Sequence, residues 1–333
     1  MQWCCTTPKL SISRSNRQSM TLYSQELAEL ALARAEARDA MVDGVATRYW
    51  VYPATKAAAP GQRSQTLVFV HGYRGNHHGL EAIAGALADF DIVIADLPGF
   101  GKSAPFAEQH SVAAYVQWLQ HFIGHIATEQ KLTTPPTLVG HSFGSIIAAA
   151  YAAENQGISR LVLINPVSAP ALEGPKAALT QLVRLMFWLS GVLPLQAGLA
   201  MLKSWPMVRG MSIVMTKSRD NELRRWVHEQ HENNFNDFAN RRVAIEGYNA
   251  SISHNVGEYS TCFRVPTTLI VGDRDDITSL KQQRQMAESI SAPHTLTVLT
   301  KVGHLTHYEQ PAQVAEAIRL DSSGVVKEQS EGR

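Results

Sequence analysis

Two hydrophobic periods alternate along this chain. Short runs of apolar, often β-branched residues recur as TLVFVH (66–71), DIVIAD (91–96), PTLVGH (136–141), RLVLINP (160–166), PTTLIVG (266–272) and HTLTVLT (294–300). All but the last of these runs are apolar at successive positions instead of every second one, the pattern of a strand covered on both faces. Between the runs the spacing becomes helical, over Gly79 to Phe90, Ser111 to Gln130, a segment opening at Ser142, Ser279 to Ile290, and Pro311 to Leu320. Ahead of them, residues 21–41 (TLYSQELAELALARAEARDAM) predict an amphipathic helix, 46–54 (ATRYWVYPA) a strand, and AAAPGQRSQ a polar turn.

Buried strands alternating with helices predict an α/β fold, a mostly parallel twisted sheet with helices on both faces. In such sheets ligands sit beyond the carboxyl ends of the strands. Residues 167–264 break the rhythm. They hold no convincing strand, an apolar first half (LVRLMFWLSGVLPL) and a charged, aromatic second half (ELRRWVHEQHENNFNDF), and so read as a helical cap inserted over the strand ends. The expected organisation is a disordered tail over 1–20, a core over 21–166 and 265–320, the cap over 167–264, and a second tail over 321–333. The most apolar window, Ala177 to Leu195, carries Gln181, Arg184, Ser190 and Pro194, which fits a buried or pocket-facing helix and not a membrane span.

Composition narrows the function classes. The 333 residues suggest about two units, or one large α/β domain with an insertion. With 45% hydrophobic and 18% charged residues the chain can build a core. Thirty Lys and Arg against 29 acids, a formal charge of +1 without a basic stripe, argue against nucleic-acid binding. Cys4, Cys5 and Cys262 make no disulfide framework and no metal-ligand spacing, as in a reducing compartment. The first 20 residues lack the apolar run of a secretory signal, though their lack of acids suits a transit peptide. The expectation is a cytoplasmic protein, its first residues either a disordered tail or an over-extended start ahead of Met20, an alternative the sequence leaves open.

The chemistry-bearing string is Gly140-His141-Ser142-Phe143-Gly144, a G-x-S-x-G placed where a buried strand meets an alanine-rich helix. A serine on so sharp a turn is held in a strained geometry with its hydroxyl exposed, and side chains at 140 and 144 would clash. A serine hydroxyl needs a base, itself oriented by a third group. Strand 266–272 ends in Gly272-Asp273-Arg274-Asp275-Asp276, placing acids at a carboxyl end. Strand 294–300 leads into Lys301-Val302-Gly303-His304, placing a histidine on the next loop.

With these residues in order the chain resembles the α/β-hydrolase family. The resemblance selects Asp275 through G-x-x-D as the acid, with Asp276 as the fallback, and His304 as the base through Gly303-His304 followed by Glu309-Gln310-Pro311. His71-Gly72-Tyr73 stands where the family places its second oxyanion donor, which implies an oxyanion hole from the backbone N–H groups of Tyr73 and Phe143. Asp96-Leu97-Pro98-Gly99-Phe100-Gly101-Lys102-Ser103 resembles a structural turn of the family. The resemblance covers roughly 45–166 and 265–320, and the cap by position alone. Ser145 stands where a third glycine is frequent, a change expected to alter helix packing only. Serine at 142 in place of aspartate argues against the dehalogenase and epoxide-hydrolase branches.

Other strings weigh less. His228-Glu229-Gln230-His231 spaces its histidines three apart, not the four of H-E-x-x-H, so no metal site is expected. His77-His78 reads as polar residues at a helix start. Gly99 to Ser103 lacks P-loop spacing. Trp188, Trp205, Met186, Met201 and Met207 are candidates for an acyl pocket, with cap packing the commoner role for such residues. The resulting expectation is a cofactor-free serine hydrolase with Ser142, His304 and Asp275 as its triad, acting on a small-molecule carboxylic ester with an apolar acyl part. The same triad would serve a thioester or carbon–carbon bond hydrolase. An aminopeptidase would need cap acids such as Glu222, Glu229 and Glu232 to hold an ammonium, and a non-catalytic binding protein on the same scaffold is the remaining alternative. The sequence leaves the oligomeric state open.

Overall fold

The computed structural model describes residues 18–55, 65–170 and 177–322. In chain order its elements are α1 (Gln18–Leu32), β1 (Glu36–Val42), β2 (Val45–Tyr52), β3 (Thr66–Val70), α2 (Glu81–Ala86), β4 (Asp91–Ala95), α3 (Val112–Glu129), β5 (Thr137–His141), α4 (Phe143–Glu154) and β6 (Arg160–Ile164). There follow α5 (Ala177–Val192), α6 (Leu195–Leu202), α7 (Trp205–Met215), α8 (Asn221–Asn234) and α9 (Arg241–Ser253). The chain then closes with β7 (Thr267–Gly272), α10 (Leu280–Glu288), β8 (His294–Leu299), α11 (Thr306–Glu309) and α12 (Pro311–Ser322).

The eight strands form one sheet in the order β1-β2-β4-β3-β5-β6-β7-β8. From β4 to β8 every pairing is parallel; β1 and β2 add an antiparallel edge. Alternation across the pleat splits the core in two. Leu67, Phe69, Ile92 and Ile94 pack with Ala31 of α1, Ile83 of α2 and Val314 of α12. Val68, Val70 and Leu138 pack on the other face with Leu119 and Phe122 of α3 and Ile146 of α4. Each fully buried side chain of this size contributes roughly 1.5–3 kcal/mol, which fixes the register of every strand. Helix starts are set by side-chain caps: Ser111 accepts from Ala114 N–H, Asn240 from Val243 N–H, and Ser279 forms a reciprocal pair with Gln282.

The N-terminal expectation needs correction. The helix is α1, shorter than residues 21–41, and 36–42 instead form β1, paired antiparallel with β2. The reason is the two-residue turn Asp43-Gly44, both with positive φ (49° and 76°), the geometry that joins twisted strands in a tight hairpin. As an edge strand with most side chains in water, β1 keeps the polar composition that imitates a helix. The expected tails also shift: α1 begins at Gln18 and α12 runs to Ser322, while 1–17 and 323–333 lie outside the described residues. Among the described residues between β6 and β7 the elements are helices, with one isolated bridge, from Phe238 to Phe100.

The chain steps from β3 outward to β4 and then returns past β3 to β5, so its winding reverses between β3 and β5. The loops leaving their carboxyl ends diverge there and open a crevice. The insertion from β6 to β7 lies over it.

Candidate active site

Ser142 sits between β5 and α4 with φ 54° and ψ −119°, a conformation that costs on the order of 1–3 kcal/mol for a non-glycine residue. The neighbouring glycines make the turn possible. A Cβ on Gly144 would lie 2.2 Å from the carbonyl oxygen of Val70, and one on Gly140 2.5 Å from that of Gly144. Ser142 N–H donates to Ile164 O at 3.1 Å, anchoring the turn on β6. The expected consequence of Ser145 is only half right: its buried hydroxyl donates to Ser142 O at 2.5 Å and accepts from Val167 N–H at 3.2 Å, tying the turn to the start of the insertion.

Three side chains from three strand ends meet at this point. His304 Nε2 lies 2.7 Å from Ser142 Oγ, and His304 Nδ1 lies 2.8 Å from Asp275 Oδ2. Asp275 is buried; its Oδ1 also accepts from Ile277 N–H at 2.7 Å, so the carboxylate cannot turn away. The fallback acid, Asp276, is engaged elsewhere, in an ion pair with Lys217. Glu309 holds the N–H groups of Lys217 and Ser218 at 2.7 and 3.0 Å, fastening the insertion beside the histidine loop.

Tyr73 follows β3 and its N–H makes no hydrogen bond to another described residue. Phe143 opens α4, where an N–H has no intrahelical acceptor. His71 fixes the loop between them: burial lowers its pKa, its Nδ1 donates to Gly72 O at 2.9 Å, and its Nε2 accepts from Leu97 N–H at 2.8 Å, a single neutral tautomer. Gly72 passes so close to Ser142 that a Cβ there would meet the serine Cβ at 3.2 Å. The Asp96 to Ser103 string is structural as expected. Asp96 accepts from the N–H groups of His77 and Lys102, and Ser103 Oγ donates to Asp96 O.

Two residues that sequence reasoning missed hold the site together. Asn165, at the end of β6 with φ 44°, donates from Nδ2 to Asp275 Oδ2 (2.9 Å) and Gly303 O (3.1 Å), and accepts from Thr306 Oγ1. Its signal was an asparagine closing an otherwise apolar strand at the same level as the acid. Arg74, also at positive φ (59°), is buried and reaches into the insertion, donating to Phe235 O, Leu202 O and Asn236 Oδ1. Nothing in its local sequence distinguishes it from a solvated loop arginine.

Two cavities meet at Ser142. The larger, about 270 Å³, is walled by Phe143, Val183, Met211, Val214, Met215 and Ile277 among others and is mostly apolar. The smaller, about 60 Å³, runs past His141, His231, Asn234, His307 and Tyr308. Burial lowers His141 and His231 to about 3, with nearby His304 and His228 respectively adding to the effect, and lowers His307 as well. Nε2 of His231 and Nδ1 of His307 are buried without a hydrogen-bond partner among the described residues.

A family model described as the alpha/beta hydrolase fold matches residues 65–311. The chain belongs to the α/β-hydrolase family. It is 30% identical over 128 residues to a dihydrolipoyllysine-residue acetyltransferase component of an acetoin cleaving system from Cupriavidus necator, which is 38% of this chain and 31% of that protein. It is 31% identical over 146 residues to monoglyceride lipase from Homo sapiens, 41% of this chain and 46% of that one. The chain thus spans less than half the length of these curated relatives. An esterase from Exiguobacterium antarcticum shares its fold with a TM-score of 0.66 at 19% identity, covering 86% of this chain and 100% of that one.

The remaining candidates fall into place around the hydrolase core. Trp188 and Trp205 are each 62% exposed, and neither they nor Met186, Met201 and Met207 line the larger cavity; Met211 and Met215 do. Glu222 and Glu229 face solvent and Glu232 binds Arg209 and Trp205, so the three acids do not converge on either cavity. His228 and His231 both meet the hydroxyl of Ser212, at 2.6 and 2.7 Å. His77, His78 and Glu81 bring their polar atoms within 4.8 Å of one another, with His77 Nδ1 held by Asp96 and His78 Nδ1 by Glu81. Among the described residues no helix is long and apolar enough to cross a membrane.

Proposed function

We propose that this hydrolase cleaves a carboxylic ester by acyl transfer through Ser142. The observation that carries the reading is the hydrogen-bonded line from Ser142 Oγ through both nitrogens of His304 to Asp275. Ser142 Oγ attacks the acyl carbonyl as His304 Nε2 takes its proton, while Asp275 holds the tautomer and stabilises the imidazolium. The carbonyl oxygen, now anionic, is met by the N–H groups of Tyr73 and Phe143, contacts worth about 3–4 kcal/mol of barrier each. His304 returns the proton to the leaving alkoxide, freeing an alcohol. Water, deprotonated by His304, then attacks the acyl-enzyme and releases the acid and the serine. His71, Gly72, Gly140, His141 and Gly144 shape the site and take no proton in this scheme.

The two cavities support a division of the substrate. The apolar one suits the acyl part, under the helical cap. The smaller one is walled by the neutral imidazoles of His141, His231 and His307, which suit a compact hydroxylated alcohol over a charged group. The likeness to the human monoglyceride lipase favours acylglycerols among the esters to be tried. A panel of esters of graded acyl length, with thioesters alongside, tests the reading when run on the wild type and Ser142→Ala. The substitution should lower turnover by a factor on the order of 10⁶ if the three side chains act as a unit. Ester hydrolysis retained in the variant would remove Ser142 from the mechanism, and preferential thioester turnover would reassign the leaving group.

A further inference from the structure

Helix α5 is apolar on two opposed sides. Inward, Val183 lines the larger cavity and Phe187 stacks on Tyr248 with ring centroids 4.0 Å apart. Outward, Leu182, Leu185, Trp188, Leu189 and Val192 are exposed by 38–62%. At about 100° per residue these five fall within an arc of about 120°, one continuous stripe along the helix. Exposed Leu193 and Leu195 prolong it past the helix end. A helix apolar all round is at home where both sides are covered, and clustered apolar surface of this kind marks an interaction site.

The charge of the segment that carries the stripe says what covers it. From 177 to 219 the chain carries Arg184, Lys203, Arg209, Lys217 and Arg219 and no Asp or Glu. Arg209 and Lys217 are paired with Glu232 and Asp276, while Arg184, Lys203 and Arg219 are exposed. Arg184 stands on the border of the stripe, where its stem can follow the apolar face and its guanidinium can reach outward. We propose that the insertion docks on an anionic lipid surface, α5 lying in the interface plane with its leucines and Trp188 at the acyl boundary and Arg184 among the headgroups, the exposed cations Lys203 and Arg219 adding to the positive charge of the same segment. A two-fold pairing of two such faces would instead set the same cations against each other. Docking would bring lipid to the outer side of the helix whose inner side walls the apolar cavity. The inference stands apart from the reaction proposed above.

Flotation of the full chain with vesicles tests it without reference to activity. Vesicles of phosphatidylcholine with about one third phosphatidylglycerol should carry the protein, and phosphatidylcholine alone should carry much less. Leu185→Ser combined with Trp188→Ser should weaken binding at least roughly tenfold, with an unchanged melting temperature since both side chains are exposed. Arg184→Gln should weaken it about fivefold on the anionic vesicles and negligibly on the neutral ones. Flotation that is absent, or equal for the wild type and the double variant, would overturn the proposal. So would a wild-type dimer, seen by light scattering, that fails to float and falls apart in the double variant, because the face would then be a self-interface.

Discussion

Lowering the pH from 7 to 5 should destabilise this protein by several kcal/mol through its buried histidines. His141 and His231 are held neutral by burial, at about 3 in the folded chain against about 6.5 unfolded. Because the folded pKa is the lower one, the unfolded state binds more protons, so the stability these groups provide is complete above about 6.5 and is lost as pH falls toward 3. From pH 7 to 5 each group costs about 2 kcal/mol, or about 4 together, set against a total of 5–15 kcal/mol for a typical domain. His307, His71, His110 and His228 are also lowered by burial and act in the same direction. His78 opposes them: burial alone would lower it, but its bond to Glu81 raises it. Unfolded carboxylates titrate mostly below this window, near 4, which leaves the histidines to dominate it. Urea unfolding followed by far-UV circular dichroism at pH 7, 6 and 5 measures the loss. His231→Asn should flatten the dependence between pH 6 and 5 by roughly 1 kcal/mol per unit. Equal stability at pH 7 and 5, or an unchanged slope in the variant, would refute the reasoning.

Two further substitutions probe the acid. Asp275→Asn should lower kcat by several orders of magnitude, while Asp276→Asn, which weakens the pairing with Lys217, should leave it within about tenfold; the reverse ranking in ester kinetics would move the acid to the next residue. Asn165→Ala removes a charge-assisted hydrogen bond worth about 1.5–3 kcal/mol and should lower kcat by roughly one to two orders of magnitude with little change in KM, measured by steady-state kinetics; an effect on KM alone would contradict a positioning role.

What the sequence disclosed and what it hid have physical causes. Parallel strands buried on both faces are hard to mistake once they recur with helices between them, and so β3 to β7 lie within a residue or two of expectation, as does the half-exposed edge strand β8. The turn at Ser142 was legible because steric demand writes itself as glycine on either side. Asp275 and His304 were legible because chemistry at a sheet edge collects at strand ends. β1 was hidden because an edge strand in water needs no apolar pattern, although Asp43-Gly44 announced the hairpin. Arg74 and Asn165 act through partners 161 and 110 residues away, Phe235 and Asp275, which no local pattern reveals. The cavity wall was not legible because aromatic bulk on α5 and α7 is exposed at Trp188 and Trp205, while the smaller Val183, Met211 and Val214 line the cavity.

The central claim is that Ser142 is a nucleophile activated by His304. Treatment with a fluorophosphonate, followed by intact mass and peptide mass analysis, tests it without knowledge of the substrate. One adduct per chain on the peptide containing Ser142 is predicted, absent from Ser142→Ala and slowed by orders of magnitude in His304→Ala. A wild-type chain left unmodified, or one modified at another serine, would contradict the account.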